Sequence, residues 1–289
     1  MITIFTPSYN RAHLLVSAYQ SLCLQQCADF EWLIVDDGST DNTREVVSGF
    51  IQEGKIPIRY FKKPNGGKHT AINLGAKEAK GELFLILDSD DSLPKNSLRI
   101  ITERHALVKN EENLAGVCGL MAHHDGTQIG SGFPKTPMFA SSIDMRYYNN
   151  VIGDLMEVFK TSVLREFPFP EIKGERFCPE DLVWNRIAQK YKFYCFNEVI
   201  YYRDYLDGGL TDNIMRIRHF SPLASMTYYQ ELYHAPIPLK ERIKAAINYW
   251  RFTPLRYYGK VKDMHMMNLI SLCALPLGIL MRLNDKRHL

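Results

Sequence analysis

The sequence predicts an α/β domain, a mostly parallel sheet flanked by helices, followed by a C-terminal helical segment. Three observations lead there. Over residues 1–90, short β-branched or aromatic runs alternate with amphipathic stretches. Three polar clusters, Pro7-Ser8-Tyr9-Asn10, Asp36-Asp37 and Asp88-Ser89-Asp90-Asp91, each follow one of the apolar runs. From about Asp212 onward the pattern is helical throughout.

Ile2–Thr6 reads as a first strand, and Arg11–Gln26 as a helix with Leu14, Leu15, Ala18, Leu22 and Cys23 on one face. Phe30–Val35 is a second strand, after which Asp41 caps a helix running to about Glu53. Ile58–Phe61 is a third strand, Asn65-Gly66-Gly67 a turn, and Lys68–Lys80 a helix stopped by Gly81. Leu83–Leu87 is apolar throughout, the composition of a strand buried on both faces. This β-α-β-α-β-α-β order implies parallel strands with right-handed crossovers. Ligands of such sheets bind at the carboxyl ends of the strands, where the three polar clusters fall.

The second half is less regular. Ser97–Lys109 reads as a helix, Leu114–Met121 as a strand, and 126–136 as a turn or hairpin. Leu155–Phe159 is a strand, Glu180–Tyr191 a helix and Phe193–Tyr202 a strand. A composition shift over Asp204–Asp212 sets the expected boundaries. Residues 1–205 form the α/β domain, in two halves, 1–92 and 93–205, and residues 206–289 form the helical segment.

Composition narrows the partners. Thirty-five basic residues against 32 acidic ones leave a net charge of +3, which argues against broad wrapping of nucleic acid. The six cysteines include no C-x-x-C pair and are expected as reduced thiols. Met1 leads directly into strand-like sequence without a basic or long apolar leader, so a cytoplasmic location is expected. Leu269–Leu283 is apolar, is interrupted by Pro276, and falls short of the roughly 20 residues of a spanning helix. Tyr249, Trp250, Arg251, Arg256, Tyr257, Tyr258, Lys260 and Lys262 precede it. Two readings stay open: peripheral contact with the inner face of the cell membrane, and packing on the catalytic domain.

The acidic clusters carry the chemistry. Three carboxylates within four residues, 88–91, concentrate charge that costs free energy unless cations neutralise it. Hard divalent ions take oxygen ligands, and Mg²⁺ commonly shares one or two carboxylates with substrate phosphates. An acidic helix-capping turn would leave the same trace. In the second cluster, a carboxylate after a strand can accept hydrogen bonds from a nucleobase or a ribose. Helix capping accounts for Asp41 but not for Asp36 and Asp37.

Thr6-Pro7-Ser8-Tyr9-Asn10-Arg11, Val35-Asp36-Asp37-Gly38-Ser39-Thr40-Asp41, Asn65-Gly66-Gly67, Leu87-Asp88-Ser89-Asp90-Asp91 and Glu180-Asp181 occur in that order. The set resembles the motifs of family 2 glycosyltransferases, enzymes of the GT-A fold, over roughly residues 1–205, which implies a catalytic domain with 1–92 as its nucleotide-binding half and 93–205 as its acceptor-binding half. The resemblance implies transfer of one sugar, with inversion, from a nucleotide-sugar donor, usually a UDP-sugar, to an acceptor hydroxyl. It implies Mn²⁺ or Mg²⁺ as cofactor, and surface polysaccharide or glycolipid assembly with an oligosaccharide or lipid-linked acceptor. Pro7, Ser8, Tyr9, Asp36 and Asp37 would line the nucleotide. Asp88 and Asp90 would lie at the ribose and the metal with Asp91 nearby, which of the three ligates being left open. Asp181 matches the general base, and Glu180 stands beside it.

One segment departs from the pattern. Where many members carry an arginine after the Asn-Gly-Gly turn, this chain has Lys68-His69-Thr70. Lys68 either answers the pyrophosphate at a helix N-terminus or is a solvated surface lysine. Asp154, Glu157 and Trp184 are candidates for the acceptor or sugar pocket, with core packing the rival reading for Trp184. No Gln-x-x-Arg-Trp motif is present, which sets the chain apart from processive synthases. Rival functions are a catalytically silent nucleotide-sugar-binding or scaffold protein and a nucleotidyltransferase. The latter should carry a Gly-rich basic phosphate loop where Pro7-Ser8-Tyr9-Asn10 stands. No G-x-G-x-x-G follows any strand, which excludes a dinucleotide-binding dehydrogenase.

Overall fold

In the computed structural model, residues 1–26, 29–204, 213–254 and 266–285 are described. Cys27, the boundary region after Asp204 and the basic-aromatic run from Arg256 to Lys262 lie outside them. The chain divides into two compact units, residues 1–168 with 186–204, and residues 169–185 with 205–289.

The first unit is built on an eight-stranded sheet: β1 (Ile2–Ser8), β2 (Phe30–Asp36), β3 (Ile58–Lys62), β4 (Leu83–Ile86), β5 (Leu114–Ala122), β6 (Met138–Ala140), β7 (Leu155–Lys160) and β8 (Lys192–Tyr202). Their order is β3-β2-β1-β4-β7-β5-β8-β6. β1 to β4 run parallel, β5 and β8 pair in parallel, and β7 and β6 run against their neighbours. The unbroken apolar runs have the burial they imply, every residue of β2, β4 and β5 being buried.

Helices α1 (Leu15–Cys23), α2 (Thr43–Glu53), α3 (Lys68–Glu78), α4 (Ser97–Val108) and α5 (Thr161–Glu166) connect the strands. The Tyr19, Trp32 and Phe50 rings stack between α1, β2 and α2, Tyr19 and Phe50 at 4.1 Å. Helix α1 starts later than its apolar pattern predicts. Asn10 adopts a positive φ, and the backbone N–H of Ala12 donates to the Asp41 carboxylate, so Arg11 to Leu14 are held outside the helix. The other oxygen of that carboxylate accepts from the N–H and hydroxyl of Thr43, the first residue of α2, so Asp41 stands one residue ahead of the N-cap, Asn42, instead of at the cap that the sequence suggests.

The second unit gathers 169–185 with the C-terminal helices α7 (Ile214–Phe220), α8 (Pro222–His234), α9 (Leu239–Phe252) and α10 (Leu269–Asp285). Helix α6 (Glu180–Ala188) begins in this unit. Both Glu175 carboxylate oxygens accept N–H bonds at the start of α8, from Leu223 and Ala224. Pro276 does not interrupt the last element: α10 continues through it for 17 residues. No described helix is long and apolar enough to cross a membrane.

Candidate active site

The parallel sheet brings the ends of β1, β2 and β4 to one edge, and β7 adds a fourth approach. Because β7 is antiparallel to β4, Asp154, just before its first residue, reaches the edge where β4 runs out into Asp88. β8 ends there too: the Tyr201 hydroxyl accepts from the Asp88 N–H at 3.0 Å and donates to the Asp91 carboxylate at 2.7 Å.

After β1, the chain turns through Asn10, whose side-chain oxygen accepts from the Thr40 N–H at 2.8 Å while its own N–H donates to Ser39 Oγ at 2.9 Å. Tyr9 is 46% exposed. The Ser8 hydroxyl is buried and has no hydrogen-bond partner among the described residues, a polar atom that a ligand could satisfy.

Asp36 and Asp37 are both buried, and their oxygens are spent on the local chain. Asp36 accepts from the Ser39 N–H and the Tyr60 hydroxyl. Burial and the Asp36 carboxylate together push the Tyr60 phenol above its ordinary range. Asp37 accepts from the N–H groups of Gly66 (2.9 Å) and Gly67 (2.7 Å) and from Lys63 Nζ (2.6 Å). Gly38 follows them at φ 89°, where a side-chain carbon would meet the Asn65 nitrogen at 2.8 Å.

The 88–91 loop is organised by side-chain cations instead. Lys68 lies 2.7 Å from Asp88 and Arg11 lies 2.6 Å from Asp90. Burial would raise the Asp88 pKa, but Lys68 foremost, with Arg203 and Arg11, outweighs it and holds the carboxyl below its usual range. Asp91 goes the other way. Burial, then the Asp88 charge, pushes it up to about 7. Arg203 pairs with Asp154 at 2.9 Å, and Asp91, Asp154 and Asp88 more than offset the cost of burying its charge. Asp88, Asp90, Asp91 and Asp154 thus share one electrostatic cluster with Lys68, Arg11 and Arg203, an arrangement suited to a phosphate-bearing ligand and its counter-ion.

Of the sequence candidates, Pro7, Ser8, Tyr9, Asp36, Asp37, Lys68, Asp88, Asp90 and Asp154 fall on this edge of the first unit. Glu157 lies inside β7, opposite Cys118 of β5. In the second unit, Glu180 and Asp181 occupy the first turn of α6, with Asp181 exposed, and the Asp181 charge acts on the Tyr229 phenol. Trp184 is 8% exposed and edge-on to Phe169 at 5.7 Å, a ring packed rather than presented. Sequence reasoning passed over Arg11, Lys63, Tyr201 and Arg203. The rule that points to strand ends would have found the last two, since they close β8.

The sequence profile of "Glycosyl transferase family 2" matches residues 3–159, more than half of the chain. The chain belongs to this family. It is 26% identical over 226 residues to a Campylobacter jejuni enzyme named GalNAc(5)-diNAcBac-PP-undecaprenol beta-1,3-glucosyltransferase, covering 73% of this chain and 67% of that one. It spans only 16–36% of the length of other curated glycosyltransferases that it matches at 34–41% identity. Among solved structures, S. aureus TarS 1-349 in complex with UDP-GlcNAc superposes with a TM-score of 0.61 at 16% identity, covering 99% of this chain and 92% of that one. The mannosyltransferase PcManGT from Pyrobaculum calidifontis, in complex with GDP-Man and Mn²⁺, gives 0.57 at 16% identity, over 99% and 87%. The fold of this family 2 glycosyltransferase is GT-A.

Solved neighbours of this fold are crystallised with Mn²⁺. Among the described residues here, no group of three or more His, Cys, Asp or Glu side chains closes around a metal position. The oxygen donors Asp88 and Asp90 have the chemistry that a hard cation takes, are too few by themselves for a cage, and each now faces a side-chain cation. They fit a divalent ion whose remaining ligands come from substrate phosphates.

Proposed function

We propose that this family 2 glycosyltransferase transfers a single sugar, with inversion, from a UDP-sugar to an acceptor hydroxyl in surface polysaccharide or glycolipid assembly. The observation that carries the reading is the cluster of Asp88, Asp90, Asp91 and Asp154 interleaved with Lys68, Arg11 and Arg203 at the edge where the strands end. An ionised diphosphate with its counter-ion is the ligand class that such alternating charge accommodates. A location in the cytoplasm, at the inner face of the cell membrane, goes with a lipid-linked acceptor. The undecaprenol-linked substrate named for the Campylobacter relative supports that class. An oligosaccharide acceptor is the alternative.

Residue roles follow from position and chemistry. Pro7 and Tyr9 would flank the base, the Ser8 hydroxyl would gain its missing partner, and Asp37 with Asp36 would hold the loop that receives the nucleoside. Lys68, at the N-terminus of α3, would turn from Asp88 to the diphosphate. Asp88 and Asp90 would hold Mn²⁺ or Mg²⁺ jointly with phosphate oxygens. When bound, the ion would neutralise charge developing on the leaving diphosphate. Asp181 would accept the acceptor hydroxyl's proton as that oxygen attacks the anomeric carbon, with Glu180 shaping the approach. The step asks only that the carboxylate be ionised when the acceptor hydroxyl arrives.

Calorimetric titration with UDP, GDP and UDP-sugars, each with Mn²⁺ and with EDTA, tests the reading. Uridine nucleotide binding that requires the metal is expected. Folded protein that binds none of them would overturn it in favour of a silent scaffold.

A further inference from the structure

Helix α10 is built inside out. Its buried face consists of small residues, Ser271, Ala274 and Gly278. These let it approach α9 closely: a side-chain carbon at Gly278 would lie 2.6 Å from Trp250 Cβ. Its large apolar residues point the other way. Leu269 is 79% exposed, Leu280 64% and Leu283 51%, and Ile270, Leu272, Cys273, Pro276 and Leu277 are exposed with them. At 100° per residue these positions share one continuous arc, in which Asn284 is the polar member.

The helix cannot rotate to hide that arc, because both ends are fixed. The Trp250 indole N–H donates to the Ser271 carbonyl (2.8 Å) and hydroxyl (3.0 Å). At the other end, Asp285 accepts a bidentate pair from Arg251, both at 2.6 Å, and faces His219 at 2.9 Å. Arg282 donates to the carbonyls of Arg251 and Thr253. With 17 residues and no spanning character, the arc has the dimensions of a helix that lies on an apolar boundary.

Charge says which boundary. Residues 239–289 carry ten Lys and Arg against three Asp and Glu, net +7, while residues 1–238 carry 25 against 29, net −4. The basic excess is therefore confined to the segment that holds the exposed arc. Two copies meeting through this segment would bring net charges of the same sign together, whereas an anionic lipid surface complements the segment's charge. We propose that the outward face of α10 is a docking surface that seats on the headgroup region of an anionic bilayer, its leucines entering the acyl boundary and the net positive charge of the segment favouring anionic lipid. The proposal is independent of which sugar is moved.

Co-sedimentation of the full chain tests it, with vesicles of phosphatidylcholine containing phosphatidylglycerol and with vesicles of phosphatidylcholine alone. The chain should partition onto the anionic vesicles, at least about tenfold more weakly onto the neutral ones, and more weakly as salt rises. The combined variant Leu269→Gln, Leu280→Gln, Leu283→Gln changes solvent-facing positions. It should keep its melting temperature and nucleotide binding and lose about tenfold or more in partitioning. Equal partitioning of variant and wild type would overturn the proposal, as would absence of the wild type from anionic vesicles. Self-association in lipid-free sedimentation velocity that the variant abolishes would also overturn it, in favour of a second copy on this face.

Discussion

The two acidic loops that follow β2 and β4 look alike in sequence and are held by opposite means. In the Asp36-Asp37 loop the carboxylates are buried and answered largely by backbone N–H groups of Ser39, Gly66 and Gly67. In the 88–91 loop the partners of Asp88 and Asp90 are the ends of flexible side chains, Lys68 and Arg11. Backbone donors cannot leave without unfolding the loop; a lysine or arginine can swing to another anion at little cost. The first loop is thus framework, and the second is a store of exchangeable charge. A run of aspartates does not announce which of the two it is.

Substitutions sharpen this contrast, the largest expected effect lying in neither loop. If Asp181 is the base, Asp181→Asn should lower kcat by about 10²–10⁴-fold while donor affinity and melting temperature stay unchanged. Near wild-type turnover would return the base to one of the acidic loops. Next, Asp37→Ala removes three hydrogen bonds at a buried carboxylate and leaves the Lys63 ammonium with neutral partners only, the Pro64 carbonyl and the Thr70 hydroxyl. A loss of about 3 kcal/mol in urea unfolding is expected, on the scale of a broken buried pair. Asp90→Asn should cost less than about 1 kcal/mol of stability, because its partner is a half-exposed arginine. It should instead remove the Mn²⁺ dependence of nucleotide binding in calorimetry. If Asp90→Asn proved the more destabilising of the two, the division into framework and exchangeable charge would be reversed.

The sequence announces the first four strands, their helices and the edge they share because apolar runs and their polar terminations are local properties. The same locality explains the misses. Strand β6 has three residues and makes its pairs with β8, more than fifty positions later, so nothing within it signals a strand. The start of α1 is set by Asp41, thirty residues away, which no window around Arg11 contains. At the site, carboxylates stand out as clusters, whereas the partners that determine their state, Tyr201 and Arg203, are single residues delivered by β8 from 110 positions or more beyond Asp91. In α10 the apolar residues were legible, but the side they face depends on Ser271 and Gly278 meeting Trp250.

Asp91 supplies the subtlest test, since it belongs to the charged loop yet is buried like the framework pair. Burial and the Asp88 charge raise its folded pKa to about 7, whereas an unfolded aspartate titrates near the ordinary value of 3.8. Between those values the folded chain holds a proton that the unfolded chain has lost. This contribution therefore favours folding at the acid end and declines as pH rises toward 7, with a slope of at most about 1.4 kcal/mol per pH unit. In Asp91→Asn the side chain is neutral at every pH, so the decline in urea-unfolding stability between pH 4.5 and 7 should be shallower than in wild type. Equal slopes would mean that Asp91 is ionised throughout, with Tyr201 and Arg203 satisfying it as fully as the backbone satisfies Asp37. The loop after β4 would then contain a framework carboxylate of its own.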